Sequence, residues 1–288
     1  MKNNGKSKSG KVAFWFLIVI MFVYLVFPFY WTIVTSLKTE PQLIMTPATF
    51  VPRDPVTLES TFTLQNYKAV LSNPSFLNGI KNSAIVAVSV TLICLVVGSF
   101  AAFALGKLRF RGKKLSLYLI LSMTMFPQIS VLTGLYAVIN KLHMNALIAM
   151  ILSYMLFTLP FTIWVMTSFF KGIPNSLMEA ARIDGATAFQ SFYRIIVPLA
   201  LPAMVTTGLL AFIAAWNEYL FALTFTSIDS TSRTVPVAMA LFSGTVARQE
   251  PFGEIMAASV VVTIPLLILI YFFQKRLVEG LTAGAVKG

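Results

Sequence analysis

Gly5-Lys6-Ser7-Lys8-Ser9-Gly10-Lys11 carries the first seven positions of a phosphate-binding loop, in which backbone amides cradle phosphates and a lysine reaches them. The eighth position, where Ser or Thr would ligate magnesium, is Val12, and only four residues precede Gly5, too few for the strand such a loop follows. The segment reads as a polar tail. His143 has no cysteine or second histidine near it to complete a metal set and reads as a loop histidine. No Ser-His-Asp set, metal cluster or phosphate loop remains, so the expectation is a chain with no catalytic residues, no cofactor and no metal. One acid, Glu218 in Trp216-Asn217-Glu218-Tyr219, lies inside a long apolar run. Acids at such places are costly and often functional, and Trp216 and Tyr219 offer aromatic faces for a sugar ring. The alternative is a Glu218 near the outer interface, solvated or paired there. A single acid gives little support to a proton relay.

The stretch 176–202 is of a different kind. Ser176 and Glu179 have capping-box spacing, so a helix is expected to start there. Asp184 and Gly185 punctuate it, because Gly accepts the positive φ that a helix C-terminus often demands. A second helix is expected to carry Phe189, Phe192, Tyr193 and Ile196 on one face and Thr187, Gln190, Ser191 and Arg194 on the other. Pro198 and Pro202 are expected to end it. The small Ala180 and Ala181 permit close approach by another protein. Physics alone leaves two readings, a capped loop that closes the fold and a hairpin that docks a partner.

The elements that must hold these residues are apolar. Of 288 residues, 57% are hydrophobic and 11% charged, more apolar surface than a soluble domain of this size can hide. The single Cys94 excludes an internal disulfide framework. Uncharged runs predict six membrane spans at about 12–37, 82–105, 115–140, 145–170, 201–225 and 255–274, with a loop over 172–200 between the fourth and fifth. Residues 1–11 form a basic tail and residues 275–288 a C-terminal tail. The first run is long for a signal peptide and lacks a small-residue cleavage site, so a retained anchor is expected. Pro127 and Pro160 are expected to bend or interrupt their helices, and Pro41, Pro47, Pro52 and Pro55 argue against one long helix after the first span. No internal repeat of the secondary-transporter kind is visible. Six spans put both ends on one side, and basic residues choose it: 15 of the 22 Lys plus Arg then lie with the termini and the 172–200 loop, which the positive-inside rule assigns to the cytoplasm. This placement accounts for the net charge of +12 without nucleic acid.

Glu179-Ala180-Ala181, Asp184-Gly185-Ala186, Pro198-Leu199 and Pro202 resemble the EAA loop of importer-type ABC permeases. The resemblance runs nearly the full length of the chain, through Ser36-Leu37-Lys38-Thr39, Asn66-Tyr67, Asn82-Ser83, Leu108-Arg109-Phe110-Arg111-Gly112, Pro160-Phe161, Trp216-Asn217-Glu218, Met256-Ala257-Ala258-Ser259 and the ending from Gly280 to Gly288. It is similar to carbohydrate-uptake permeases and most like the second permease subunit of maltose-type importers. Asn175-Ser176 departs from the acid that the family often has before the helix. The resemblance implies an all-α, six-span membrane protein with a cytoplasmic coupling hairpin, in a bacterial-type plasma membrane. It also implies a heterodimer with a related permease, a cytoplasmic ATP-binding subunit dimer that holds ATP and magnesium, and an extracytoplasmic sugar-binding protein. The ATPase-coupling residues are then Glu179, Ala180, Ala181, Asp184, Gly185, Ala186 and Pro198, and Asn217 and Glu218 are candidates for the translocation pathway. The outer loop 227–254 would enter the binding protein, and the C-terminal tail would contact the ATPase. A stand-alone secondary transporter and a membrane-bound enzyme are the competing classes.

The topology has a direct check. Single cysteines at Lys2, Asp54, Asp229 and Lys287 in a Cys94→Ala background, exposed to an impermeant maleimide in sealed cells, should label at positions 54 and 229 only. Labelling at position 287 would overturn the cytoplasmic assignment.

Overall fold

The structure, a computed structural model, describes residues 8–227, 229–242 and 251–285; Lys2, Arg248, Glu250 and Lys287 lie outside the described residues. Contacts divide the chain into two units, residues 1–73 with 242–263 and residues 74–241 with 264–288. The first holds α1 (Lys8–Ser36), α2 (Glu40–Leu43) and α3 (Gln65–Leu71). The second holds α4 (Pro74–Lys107), α5 (Lys113–Ser122), α6 (Gln128–Lys141), α7 (Ala146–Gly172), α8 (Asn175–Ile183), α9 (Ala188–Ser191), α10 (Val197–Trp216), α11 (Leu220–Phe225) and α12 (Val235–Ala240). The last helix, α13 (Phe252–Ala285), is divided between them. Among the described residues the only strand-like pairing is one isolated bridge between Arg53 and Ser60, as an all-α chain requires.

Among the described residues, five helices are long and apolar enough to cross a membrane: Gly10–Ser36, Pro74–Lys107, Ala146–Gly172, Ala188–Trp216 and Phe252–Gln274. The expected span at 115–140 is instead a pair, Lys113–Met125 and Gln128–Lys141, bent by 92°, which makes a sixth crossing if counted as one. Pro127 causes the bend: it cannot donate to the preceding turn, Phe126 before it is extended, and Pro127 itself stands as the N-cap of α6. Pro160, by contrast, lies buried inside an α7 that continues through it. The expected span 201–225 is also corrected. Its helix begins upstream at Ala188 and stops at Trp216, and α11 resumes only at Leu220.

In the second unit α4, α7 and α10 form the core. The buried face of α4 runs through Ser83, Val86, Val90, Cys94, Gly98, Ala102 and Leu105, at helical spacing. Small residues let the helices meet closely, the usual device where lipid is as apolar as the side chains. A Cβ placed on Gly98 would stand 2.9 Å from Thr162 Cγ2 of α7. Several buried hydroxyls, though not those of Tyr154 and Thr167, are satisfied within their own helices: Ser153 donates to Ala149 O (2.6 Å), Thr162 to Thr158 O (2.9 Å) and Thr207 to Ala203 O (2.8 Å). Near the start of α4, Asn82 donates to Thr231 O (2.8 Å) and Arg233 O (3.0 Å), while Ser83 Oγ accepts from Val235 N (2.8 Å). These two side chains fix the segment that returns after α11 and starts α12.

In the first unit, α1 is exposed from Gly10 to Tyr30 and buries only Val34, Thr35 and Ser36 at its end, so its apolar surface needs lipid or another subunit around it. Two motifs that lie far apart in sequence meet beyond it. Asn66 donates to Ser36 O (2.8 Å) and Lys38 O (2.9 Å), and the Tyr67 hydroxyl pairs with Ser36 Oγ (2.7 Å). Lys38, only 3% exposed, donates to Thr49 O (2.6 Å) and lies 5.0 Å from the centre of the Trp31 ring. Burial holds its pKa below the usual lysine value. An open pocket of about 440 Å³ in this unit is lined by Glu40, Ile44, Asn66, Phe252 and Glu254 among others.

Gly98→Ala should therefore overpack the α4–α7 contact, at a cost of about 1–3 kcal/mol. Thr162→Ala in the same chain removes the clashing methyl and should recover most of the loss. Thermal unfolding of the purified protein in nanodiscs measures both; an unchanged midpoint for Gly98→Ala would contradict the close approach.

Candidate functional site

The hairpin α8–α9 begins where α7 ends. Lys107, at the end of α4, donates to Ile173 O and to Asn175 Oδ1 (3.0 Å), tying the turn into α8 to the bundle. Pro174 is the N-cap of α8, with no side-chain cap. The expected Ser176–Glu179 capping box is therefore absent: the N-cap is Pro174, two positions before Ser176, and Glu179 is exposed. The reciprocal box lies at the next helix, where Gln190 N donates to Thr187 Oγ1 (3.2 Å) and Thr187 N to Gln190 Oε1 (2.8 Å).

The end of α8 follows the expectation. Asp184 is its C-cap and Gly185 has φ +80°. Gly185 N donates to Arg182 O (3.1 Å) and Ala186 N to Ala181 O (2.8 Å), the paired bonds of a Schellman ending. A Cβ on Gly185 would meet nothing within 4 Å, so the need for glycine is conformational rather than steric.

The second helix is not ended by its prolines. After α9 comes one π turn, Phe192–Ile196, in which Val197 N donates to Phe192 O, and α10 continues from there with Pro198 in its first turn and Pro202 inside. A widened turn shifts the carbonyls that Pro198 would otherwise clash with and leave unpaired. One helical rod thus joins the hairpin to residue 216.

Burial separates the two faces of the hairpin. Met178, Phe192 and Ile196 enter a core with Ala102 and Phe103 of α4 and Met166 and Phe170 of α7. Phe192 lies 4.8 Å from Phe100 and 5.1 Å from Phe103 between ring centroids. The expected aromatic stripe is split: Phe192 and Ile196 are buried, whereas Phe189 and Tyr193 are exposed. Of the sequence-derived coupling residues, Glu179, Ala180, Asp184 and Gly185 are exposed and Ala186 is half-buried. Ala181 is buried, because it shares the inward face with Met178 three positions earlier, and so cannot offer close approach to another protein. Pro198 is exposed, beyond the π turn. Ile183, at the tip, is 87% exposed, an apolar contact that the sequence reading did not single out.

The second candidate lies at the other end of the rod, in the break at 217–219. Asn217 Nδ2 donates back to Ile213 O (2.9 Å), finishing α10. Glu218 accepts from Phe221 N (2.9 Å) and Ala222 N (3.1 Å), one to each carboxylate oxygen, starting α11. Both expected pathway residues thus cap the break from opposite sides. Asn217 and Tyr219 are exposed and Glu218 is half-buried. Trp216 is 2% exposed and stacks on Phe212, so it offers no open face to a sugar. Sequence reasoning missed Tyr154 of α7, whose buried hydroxyl has no well-formed hydrogen bond and interacts with the Glu218 carboxylate. A lone tyrosine in an apolar run gave no signal.

Residues 77–282, which include both candidate regions, match a family described as binding-protein-dependent transport system inner membrane component. Over 273 residues the chain is 44% identical to the trehalose/maltose transport system permease protein MalG of Thermococcus litoralis, covering 94% of each. Over 282 residues it is 38% identical to the trehalose transport system permease protein SugB of Mycobacterium tuberculosis, covering 97% of this chain and 99% of that one. Its fold matches a chain of a crystal structure of a bacterial ABC transporter involved in the import of the acidic polysaccharide alginate, with a TM-score of 0.79 at 20% identity and coverage of 96% and 99%.

Gly185→Val should strain the left-handed turn by roughly 1–3 kcal/mol, whereas Gly185→Asn, which tolerates that conformation, should be nearly neutral. Hydrogen exchange at the Ala186 amide should quicken about five- to a hundredfold for Val, in line with that strain, and much less for Asn. Equal protection in all three proteins would remove the conformational role of Gly185.

Proposed function

The chain belongs to the family of binding-protein-dependent transport system inner membrane components, and from that premise we propose that it is a permease subunit of an ATP-binding cassette importer for a sugar, in the oligosaccharide or glycoside class. It forms half of the translocation pathway, beside a second, related permease. ATP and magnesium belong to a cytoplasmic ATP-binding subunit dimer, and an extracytoplasmic sugar-binding protein delivers the substrate. Both termini and the hairpin face the cytoplasm.

One observation carries the coupling role: the hairpin is fastened to the bundle on one face and open on the other. Its inward face shares a core with α4 and α7, while Glu179, Ala180, Ile183 and Asp184 stand outward. Ile183 at its tip is 87% exposed, and Leu177 and Phe189 of the same hairpin are exposed with it; several apolar side chains exposed together favour a docking face over a loop that only closes the fold. A partner that grips this outward face moves the hairpin as a rigid body. The movement passes along the helical rod Ala188–Trp216 to the break that holds Asn217 and Glu218, the residues we assign to the pathway. The names of its relatives, which are permeases for trehalose and maltose, support the sugar class.

Glu179→Lys and Ile183→Lys each place a cation on the outward face and leave the packed face untouched. At matched permease levels, both should lower co-purification of the ATP-binding subunit and cut sugar-stimulated ATP hydrolysis about tenfold, the loss of a contact of about 1.4 kcal/mol. Normal values for both variants would refute the docking role. Sugar flux by the purified chain alone in liposomes would favour a stand-alone secondary transporter instead.

A further inference from the structure

Tyr154 is 2% exposed, and its hydroxyl lacks a well-formed hydrogen bond. Orphaned hydroxyls of this kind cost stability, and Phe at the same place would keep the packing without the cost. The surroundings name one acceptor. Phe157, three residues on along α7, packs on Phe221 of α11 at 5.7 Å between ring centroids, which brings this stretch of α7 against the start of α11. There the Glu218 carboxylate receives two backbone amides, one on each oxygen, and interacts with the Tyr154 hydroxyl. A carboxylate has about four acceptor positions, so two remain. Tyr154 stands beside them without a well-formed hydrogen bond.

We infer that Tyr154 is a positioning residue for transport: its hydroxyl takes the Glu218 carboxylate when the 217–219 break rearranges, and so fixes the orientation of that carboxylate in the pathway. When the rod Ala188–Trp216 moves, the start of α11 must shift relative to Trp216, and the amides of Phe221 and Ala222 loosen from Glu218. A carboxylate released at that depth needs another donor at once. Tyr154 is a donor already in place, on a helix that does not pass through the break. The hydroxyl is unsatisfied in one state because it is used in another. The inference rests on the assignment of Asn217 and Glu218 to the pathway.

The test is a double-mutant cycle on the complete transporter in proteoliposomes, with radiolabelled trehalose or maltose as the probe, whichever the wild type takes up faster. The variants are Tyr154→Phe, Glu218→Gln and the pair, with Asn217→Ala as a control on the pathway. Tyr154→Phe should leave the unfolding temperature equal or raised while maximal uptake falls about three- to tenfold, the value of one hydrogen bond. The concentration of loaded binding protein at half-maximal uptake should stay unchanged. In the Glu218→Gln background, Tyr154→Phe should cause no further loss. Uptake by Tyr154→Phe within twofold of wild type, or losses that multiply in the pair, would overturn the inference while Glu218→Gln remains impaired. If Glu218→Gln and Asn217→Ala both transport at the wild-type rate, the pathway assignment itself falls. A Tyr154→Phe chain with lowered unfolding temperature and unchanged uptake per assembled complex would make Tyr154 a packing residue only.

Discussion

Phe192 sits where two requirements meet. It is 5% exposed and lies within reach of Phe100 and Phe103 of α4, with Met166 and Phe170 of α7 in the same core. It also begins the π turn that carries the chain from the hairpin into α10. The burial of one aromatic ring thus joins the hairpin to α4, α7 and α10. The rest of the second unit follows from that joint. Lys107 secures the entry to α8, the Schellman ending reverses the chain, and the Thr187–Gln190 box starts the return. Each of these is a local hydrogen-bond solution, and Phe192 gives them a common anchor.

Irregular backbone in an apolar setting has to satisfy itself. This chain does so at each interruption. At Pro198 the turn widens. At 217–219 Asn217 serves the ending helix and Glu218 the starting one. After α11, Asn82 and Ser83 reach from α4 to hold the backbone of Thr231, Arg233 and Val235. Polar residues that sequence patterning would assign to a solute thus have structural work as well. For Asn217 and Glu218 the observed capping and the pathway role we propose are compatible, since capping bonds that can loosen are a means of coupling a side chain to a helix movement.

Much of this architecture was legible in the sequence, and the failures have physical causes. Uncharged runs fixed the existence of the helices, and Gly185 gave the end of α8, because a left-handed residue is a property of one position. The start of α8 was misread since two S/T-x-x-E/Q patterns are present and Pro174, not the pattern, sets the boundary. Pro198 and Pro202 were read as terminators because local rules treat proline as a break, whereas a π turn depends on the packing of Phe192 and Ile196. The stripe through Phe189, Phe192, Tyr193 and Ile196 assumed an undisturbed α-helical period, which the π turn breaks. The tie from Asn66 to Ser36 and the approach of Tyr154 to Glu218 bring together distant residues, and no spacing in one sequence reports them.

The π turn has one further consequence, which concerns phase. Each residue of an α-helix advances the side chain by about 100°, and a π turn holds one residue more than the α-helical count. The π turn absorbs that extra residue, so removing one residue from Phe192–Ile196 would let the rod become continuous α-helix with Trp216 and the break held near their present orientation, whereas a deletion elsewhere along the rod would rotate them by about that angle relative to the hairpin. Outside the π turn, the number of residues between hairpin and break is therefore as strictly set as the teeth between two meshed gears, and insertions or deletions there should be tolerated only in compensating pairs.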